Sequence, residues 1–341
     1  MTKNKRFLPV LCTVCLLSAA SGGVYTLLTG RPFQVERATY LYIDADDTAD
    51  SVYVKLTEQL HASSLTGFKM LAALYGYPRQ IRPGAYRADA SVRTFELFNR
   101  LRHGHQTPVR LVVPSVRTTG RMAQVLGRKL MADSTAIATQ LADSAFIARL
   151  GFDRQTLPAL FLPNTYEVYW TLSPAELLQR MKREYDRYWT DERKELARQI
   201  GLTPIEVATL ASIVEEETAK KDEKPMIAGL YLNRLHKGML LQADPTVKFG
   251  LQAFGLKRIL HTHLQTDTPY NTYLHTGLPP GPIRIPSIEG LESVLHYARH
   301  PYIYMCAKED FSGYHHFATT WAEHTANARR YQQALNRRRI K

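Results

Sequence analysis

No charged side chain occurs between Phe7 and Leu28, a run of 22 residues near the start of a 341-residue chain. As a helix it would extend about 33 Å at ~1.5 Å per residue, matching a hydrocarbon layer of ~30 Å. Lys3, Lys5 and Arg6 precede the run, and Glu36, Asp44, Asp46, Asp47 and Asp50 follow it. That asymmetry predicts a cytoplasmic amino terminus, a single-pass anchor in the inner (plasma) membrane, and a chain that is otherwise extracytoplasmic. A cleaved signal peptide is the alternative, since Ser18-Ala19-Ala20 ends in small residues. The apolar run, however, continues through Val24, Tyr25, Leu27 and Leu28.

Charge and cysteine usage narrow the partners. Forty-four Lys and Arg against 31 Asp and Glu leave a formal charge of +13, which favours nucleic acid, anionic lipid or a carboxylate-bearing polymer. Export argues against nucleic acid. Arg329, Arg330, Arg337, Arg338, Arg339 and Lys341 crowd the carboxyl end and form a candidate patch for such a polymer. Cys12 and Cys15 lie in the apolar run, leaving Cys306 alone elsewhere, so stability must come from packing rather than disulfides. An apolar content of 45% allows a sizeable core.

Past residue 32 the pattern predicts a small α/β module over 33–120 and a larger mixed region over 121–341. Ala38 to Ala45 is β-branched and aromatic, as a strand requires, and Asp50 can cap a helix through Val54, Leu56 and Leu60. Arg82 to Tyr86 turns into a second strand, Ser91 to Leu101 reads as a helix, and Val109 to Val113 as a strand. From Arg121 to Leu150 the pattern is helical. Leu157 to Trp170 is aromatic and Pro-punctuated, suiting a loop or short strand beside a cleft, and another helix starts at Pro174. The expected fold class is α+β: a transmembrane helix, a small module and a larger catalytic domain.

The stretch from Thr203 to Gly250 carries the chemistry. Thr203-Pro204-Ile205-Glu206 combines a cap residue, a first-turn proline and a Glu three residues after the cap. At ~100° per residue from Val214, Glu215 falls beside Ala208 and Ala211, Glu217 falls close to Leu210, and Glu216 points away from the apolar side. A carboxyl against an apolar wall is held protonated and suits general acid work; an acidic, frayed helix end is the plainer alternative. Beyond Asn233-Arg234, Gln242, Asp244 and Thr246 alternate, and Tyr270 to Tyr273 leads to the turn-rich Gly277 to Ile283. Polar and aromatic residues at this density suit a sugar-binding cleft. His296 and His300 share the i, i+4 spacing of a zinc helix, but Tyr297 stands where that motif has its Glu.

Ile213-Val-Glu-Glu-Glu-Thr218, Leu241-Gln-Ala-Asp-Pro-Thr-Val247, Tyr270-Asn-Thr-Tyr273, Gly277-Leu-Pro-Pro-Gly-Pro-Ile283 and the segment from His315 to His324 together resemble the endolytic murein transglycosylases, the YceG-like family. The resemblance implies a LysM-like identity for the small module and an anchor in the membrane. It implies cleavage of the MurNAc-β-1,4-GlcNAc bond of peptidoglycan glycan strands, leaving 1,6-anhydro ends, with peptidoglycan synthases as partners and neither cofactor nor metal. It assigns Glu215 as the catalytic acid. Substrate contacts are expected from Glu217, Asn233, Gln242, Asp244, Thr246, Tyr270, Asn271, Thr272 and Tyr273. Glu216 stands where the family commonly has Lys, Ala243 where Thr is usual, and Tyr314 where Gly is usual. A noncatalytic, membrane-tethered peptidoglycan-binding protein is the second hypothesis.

Overall fold

The computed structural model describes residues 21–256 and 258–338. Three two-stranded sheets occur among them: β1 (Thr39–Ile43) with β2 (Gly84–Ala88), β3 (Val109–Val113) with β4 (Asn164–Val168), and β5 (Tyr304–Ala307) with β6 (His315–Ala318).

The expected membrane-spanning helix is corrected. Residues 21–29 are helical, but no described helix is long and apolar enough to cross a membrane. Nine residues extend only ~13 Å at ~1.5 Å each, well short of a bilayer core. The fold class is therefore mixed α+β without a spanning helix among the described residues. Residues 7–20 of the expected anchor lie outside the described residues, as do Cys12, Cys15, Arg339 and Lys341.

The chain divides into two compact units. The first takes the described residues up to Leu111, with Lys129–Met131 and Glu167–Leu172. In it β1 pairs antiparallel with β2, Thr39 opposite Ala88 and Ile43 opposite Gly84. Leu41 and Ile43 point into the core while Tyr42 faces out, the two-residue alternation of a half-buried strand. Helix α1 (Ala49–Leu60) buries Val52, Leu56 and Leu60 one turn apart. Its cap is Thr48, which accepts from Ser51 N, and not the expected Asp50. With α2 (Thr66–Leu74) and α3 (Thr94–His103) it closes over an aromatic centre, where Phe68, Tyr77 and Phe98 meet edge-on at 5.5–6.1 Å between ring centroids. The unit is a small α/β body; its narrower expected identity as LysM-like finds no support beyond that character.

The second unit holds Val112–Arg128, Ala132–Tyr166 and the described residues from Ser173. The helical stretch expected over 121–150 is broken into α4 (Thr119–Gly127), α5 (Ser134–Ala142) and α6 (Ser144–Arg149), because Asp133 and Asp143 cap new helices with their side chains. Then follow α7 (Pro174–Tyr188), α8 (Asp191–Gln199) and the central α9 (Pro204–Glu217). Thr203 and Glu206 form the expected capping box. Every residue of α9 from Val207 to Val214 is buried, as in a helix surrounded by protein. It packs against α10 (Lys224–His236) and α13 (Ile288–Leu295), with α11 (Asp244–Gly250) across its end and the short α12 (His261–Leu264) farther along. Gly290 allows the close approach of α13: a Cβ there would sit 2.9 Å from Glu215 Cδ. The β5–β6 hairpin and α14 (Trp321–Arg337) complete the unit.

Candidate active site

The last turn of α9 presents three consecutive carboxylates, and the rotation of ~100° per residue sends each into a different environment.

The Glu215 side chain is only 7% exposed. Ser287 at the cap of α13 donates both its backbone N–H, at 3.0 Å, and its hydroxyl to this carboxylate. Lys224 Nζ lies 3.6 Å away and Arg284 Nε 3.7 Å away. Lys224 in turn donates to Glu289 at 2.7 Å. This carboxylate ties the end of α9 to the starts of α10 and α13.

Glu216 is not solvated as its helix angle predicts. Its side chain is 11% exposed, held by Arg117 Nε and Nη2 at 2.8 and 2.7 Å and by Arg284 Nη1 at 3.1 Å. Both arginines arrive from distant parts of the sequence, which helical periodicity cannot register.

Glu217 faces a cleft of about 370 Å³ whose walls include Tyr231, Arg234, Gln242, Asp244, Tyr273 and His315. Glu215 is not among its lining residues. Tyr231 donates its hydroxyl to Glu217 Oε1 at 2.7 Å. Burial pushes the Glu217 carboxyl up to about 7 against the hydrogen bond from Tyr231, and the nearby Asp244 charge adds to the rise. A carboxyl with that value is shared between acid and carboxylate near neutral pH, the condition for giving and then taking a proton.

The walls of the cleft are fixed by polar contacts. Arg234, buried in α10, donates to the carbonyls of Ile303, Leu240 and Leu241 at 2.6–3.1 Å. It thereby fastens β5 and the segment before α11. Tyr273 donates to Asp244 Oδ1 at 2.7 Å. Gln242 holds a positive φ of 52° and presents its side chain to the cleft. On the hairpin side, His315 is clamped by the buried Glu223, which accepts from its backbone N–H at 2.6 Å and lies 3.0 Å from Nδ1. Trp321 and His324 of α14 line the same space.

Of the expected substrate contacts, Glu217, Gln242, Asp244 and Tyr273 come together in this cleft. The others are not among its lining residues. Asn233 donates to the carbonyls of His300 and Tyr302. Thr246 and Thr272 are buried against each other, Oγ1 to Oγ1 at 2.9 Å. Asn271 is buried and donates to Leu264 and Thr266 carbonyls. Tyr270 packs on Phe249 at 4.7 Å. Tyr231, Arg117, Arg284 and Ser287 are not among the site residues expected from the sequence. Tyr231 left one signal, a phenol inside the apolar run Ile227–Leu232, where a buried hydroxyl needs a partner. His296 follows α13 while His300 Nε2 lies 2.8 Å from the Met226 carbonyl oxygen. Among the described residues no group of three His, Cys, Asp or Glu side chains is placed to hold a metal ion.

Fold and site together define a mixed α+β protein with one carboxyl near neutrality at a helix end, inside an aromatic and polar cleft. The YceG-like family pattern matches residues 41–330, and the chain belongs to that family. An endolytic murein transglycosylase of Bacillus subtilis is 39% identical over 128 residues, covering 38% of this chain and 35% of the relative. The endolytic murein transglycosylase of Streptococcus pneumoniae D39 is 25% identical across 93% of this chain and 63% of its own length. The chain thus spans less than two thirds of the length of these curated relatives. A yceG-like protein of Listeria monocytogenes, known from a 2.6 Å crystal structure, shares the fold with a TM-score of 0.56 at 23% identity, over 86% of this chain and 99% of that one.

Proposed function

We propose that this protein is an endolytic murein transglycosylase in which Glu217 is the general acid and base, acting outside the cytoplasm where murein lies. The observation that carries this reading is a single carboxyl, raised to about 7, facing a cleft lined by Tyr273, Gln242 and Asp244. The relatives' names supply the substrate, murein, and the family resemblance implies a cut between MurNAc and GlcNAc. Glu217 gives its proton to the leaving glycosidic oxygen as the bond to the muramyl anomeric carbon breaks. The muramyl 6-hydroxyl oxygen then bonds to that carbon, and its proton passes to the Glu217 carboxylate. No water is consumed and one acid serves both steps, whereas paired-carboxylate hydrolases need a second. Tyr231 stabilises the carboxylate between the two transfers. Synthases that deliver nascent strands are the partners this reading calls for.

The sequence pattern alone favours Glu215 for this role. Its side chain is instead engaged by Ser287, Lys224 and Arg284 and does not line the cleft that Glu217 faces, which favours Glu217 in this reading. The test is the release of anhydromuramyl ends from purified glycan strands by the full chain and its variants. Glu217→Gln should lose at least ~10²–10⁴-fold in rate, the usual contribution of general acid–base catalysis. A Glu217→Gln protein releasing these ends at near wild-type rate overturns the assignment. A folded Glu215→Gln protein that binds strands but cannot cut them would return the role to Glu215. Binding without cleavage by the wild type would mark a noncatalytic wall-binding protein.

A further inference from the structure

Glu216 leads into a second concavity, about 460 Å³, that includes Arg117, Thr118, Arg121, Phe254 and Arg284. Three guanidinium groups share this space with one carboxylate. Arg117 and Arg284 are both engaged by Glu216, and Arg117 also lies over the Phe254 ring at 5.6 Å. Arg121 has no carboxylate partner among the described residues; its Nη1 donates only to the neutral Gln124 side chain at 3.0 Å.

The position of Arg121 is electrostatically awkward. It stands in the first turn of α4, where Thr118 caps the helix by accepting from the Arg121 backbone N–H at 3.1 Å. The helix dipole favours anions at that end, so a cation there is unfavourably placed. A bound anion would answer the side chain and the helix end together. Local departures from helix rules without a structural return tend to mark functional positions.

We infer that this concavity is an anion subsite for a carboxylate of the peptide stem carried by the glycan strand. The inference rests on the proposed murein substrate and deepens it. Guanidinium forks match carboxylates in a two-bond geometry. Glu216 and Glu217 are consecutive, their Cα atoms ~3.8 Å apart, so cleft and concavity flank one helix end. A peptide spans up to ~3.5 Å per residue, and two or three residues of a stem attached to a muramyl unit in the cleft reach across that end. Glu216 holds Arg117 and Arg284 in place while leaving the concavity net positive.

The experiment compares the full chain with Arg121→Gln on peptide-bearing strands and on strands stripped of peptide by an amidase. A hydrogen bond to a charged group contributes ~1.5–3 kcal/mol. The expected result is therefore a KM raised about tenfold or more on peptide-bearing strands, with kcat kept and stripped strands unaffected. Equal loss on both substrates, or no loss on either, overturns the subsite. A wild type inert on both overturns the transglycosylase reading instead, and calorimetry with a soluble stem peptide then decides the subsite. Binding by wild type that Arg121→Gln loses supports it; absence of binding, or binding unchanged in Arg121→Gln, overturns it.

Discussion

The Tyr231 hydroxyl donates to Glu217 Oε1 at 2.7 Å, from the middle of α10 to the last residue of α9. The phenol is itself buried and its own ionisation is pushed well up by burial and by the facing carboxylate, so it remains a donor throughout the working pH range. A hydrogen bond to a carboxylate favours the ionised form. Burial and Asp244 pull the other way and prevail, leaving Glu217 at about 7.

Tyr231→Phe removes the hydrogen bond that lowers the Glu217 value. The carboxyl should then titrate higher, and the alkaline limb of the rate profile, where the acid is lost, should move to higher pH. A pH profile of anhydromuramyl release checks this. A limb that stays in place, or moves down, contradicts the assigned role.

Stability should carry the same titration. Glu217 is raised in the folded state, so its contribution is favourable below the ordinary value of 4.5 and is lost as pH rises through about 7. At ~1.4 kcal/mol per pH unit the full effect is ~3 kcal/mol, an upper limit because the side chain borders the cleft. Glu217→Gln should therefore be more stable than wild type above pH ~7, and equal to it below ~4.5. Urea unfolding at the two extremes measures the difference.

Glu215→Gln should act on the scaffold. Lys224 and Arg284 would lose the carboxylate between them, and breaking one partner of a buried ion pair costs ~3–5 kcal/mol. Arg284 keeps Glu216 and Lys224 keeps Glu289, which places the loss at the lower end. At ~2–4 °C per kcal/mol, thermal melting should fall by roughly 6–12 °C. A variant that melts like wild type would show that this carboxylate does not clamp the helices.

Thr246→Val separates wall from contact. Thr246 Oγ1 donates to the Ala243 carbonyl at 2.7 Å and meets Thr272 Oγ1 at 2.9 Å, fully buried. Removing the hydroxyl takes one hydrogen bond from each of these groups, while Thr246 N–H still donates to the Ala243 carbonyl and Ala243 N–H to Thr272 Oγ1, a loss of ~1 kcal/mol. Melting should drop by a few degrees while KM of the remaining folded enzyme changes little. A large rise in KM without a change in melting would restore Thr246 as a substrate contact.

Much of the local structure is written in short sequence patterns. The capping box at Thr203 and Glu206 announces the start of α9, and the run from Val207 to Val214 announces its burial. Strand β3 lies where Val109 to Val113 places it. These depend on neighbours a few residues apart, so local propensity and capping suffice. The motifs around α9 and α11 likewise point to one cleft. Periodicity gives the three consecutive acids different directions, however, without saying what each one meets there. What separates them comes from far along the chain: Ser287 and Lys224 claim Glu215, Arg117 and Arg284 claim Glu216, and Tyr231 faces Glu217. Asn233, Thr246, Asn271 and Thr272 have the composition of a sugar site, yet their polar groups satisfy buried backbone and one another. A polar side chain reads the same in sequence whether its partner is a ligand or the fold. Only the packing of α9 against α10 and α13 decides that Glu217 is the acid of the three with no ion pair among the described residues, and that burial raises its carboxyl to about 7.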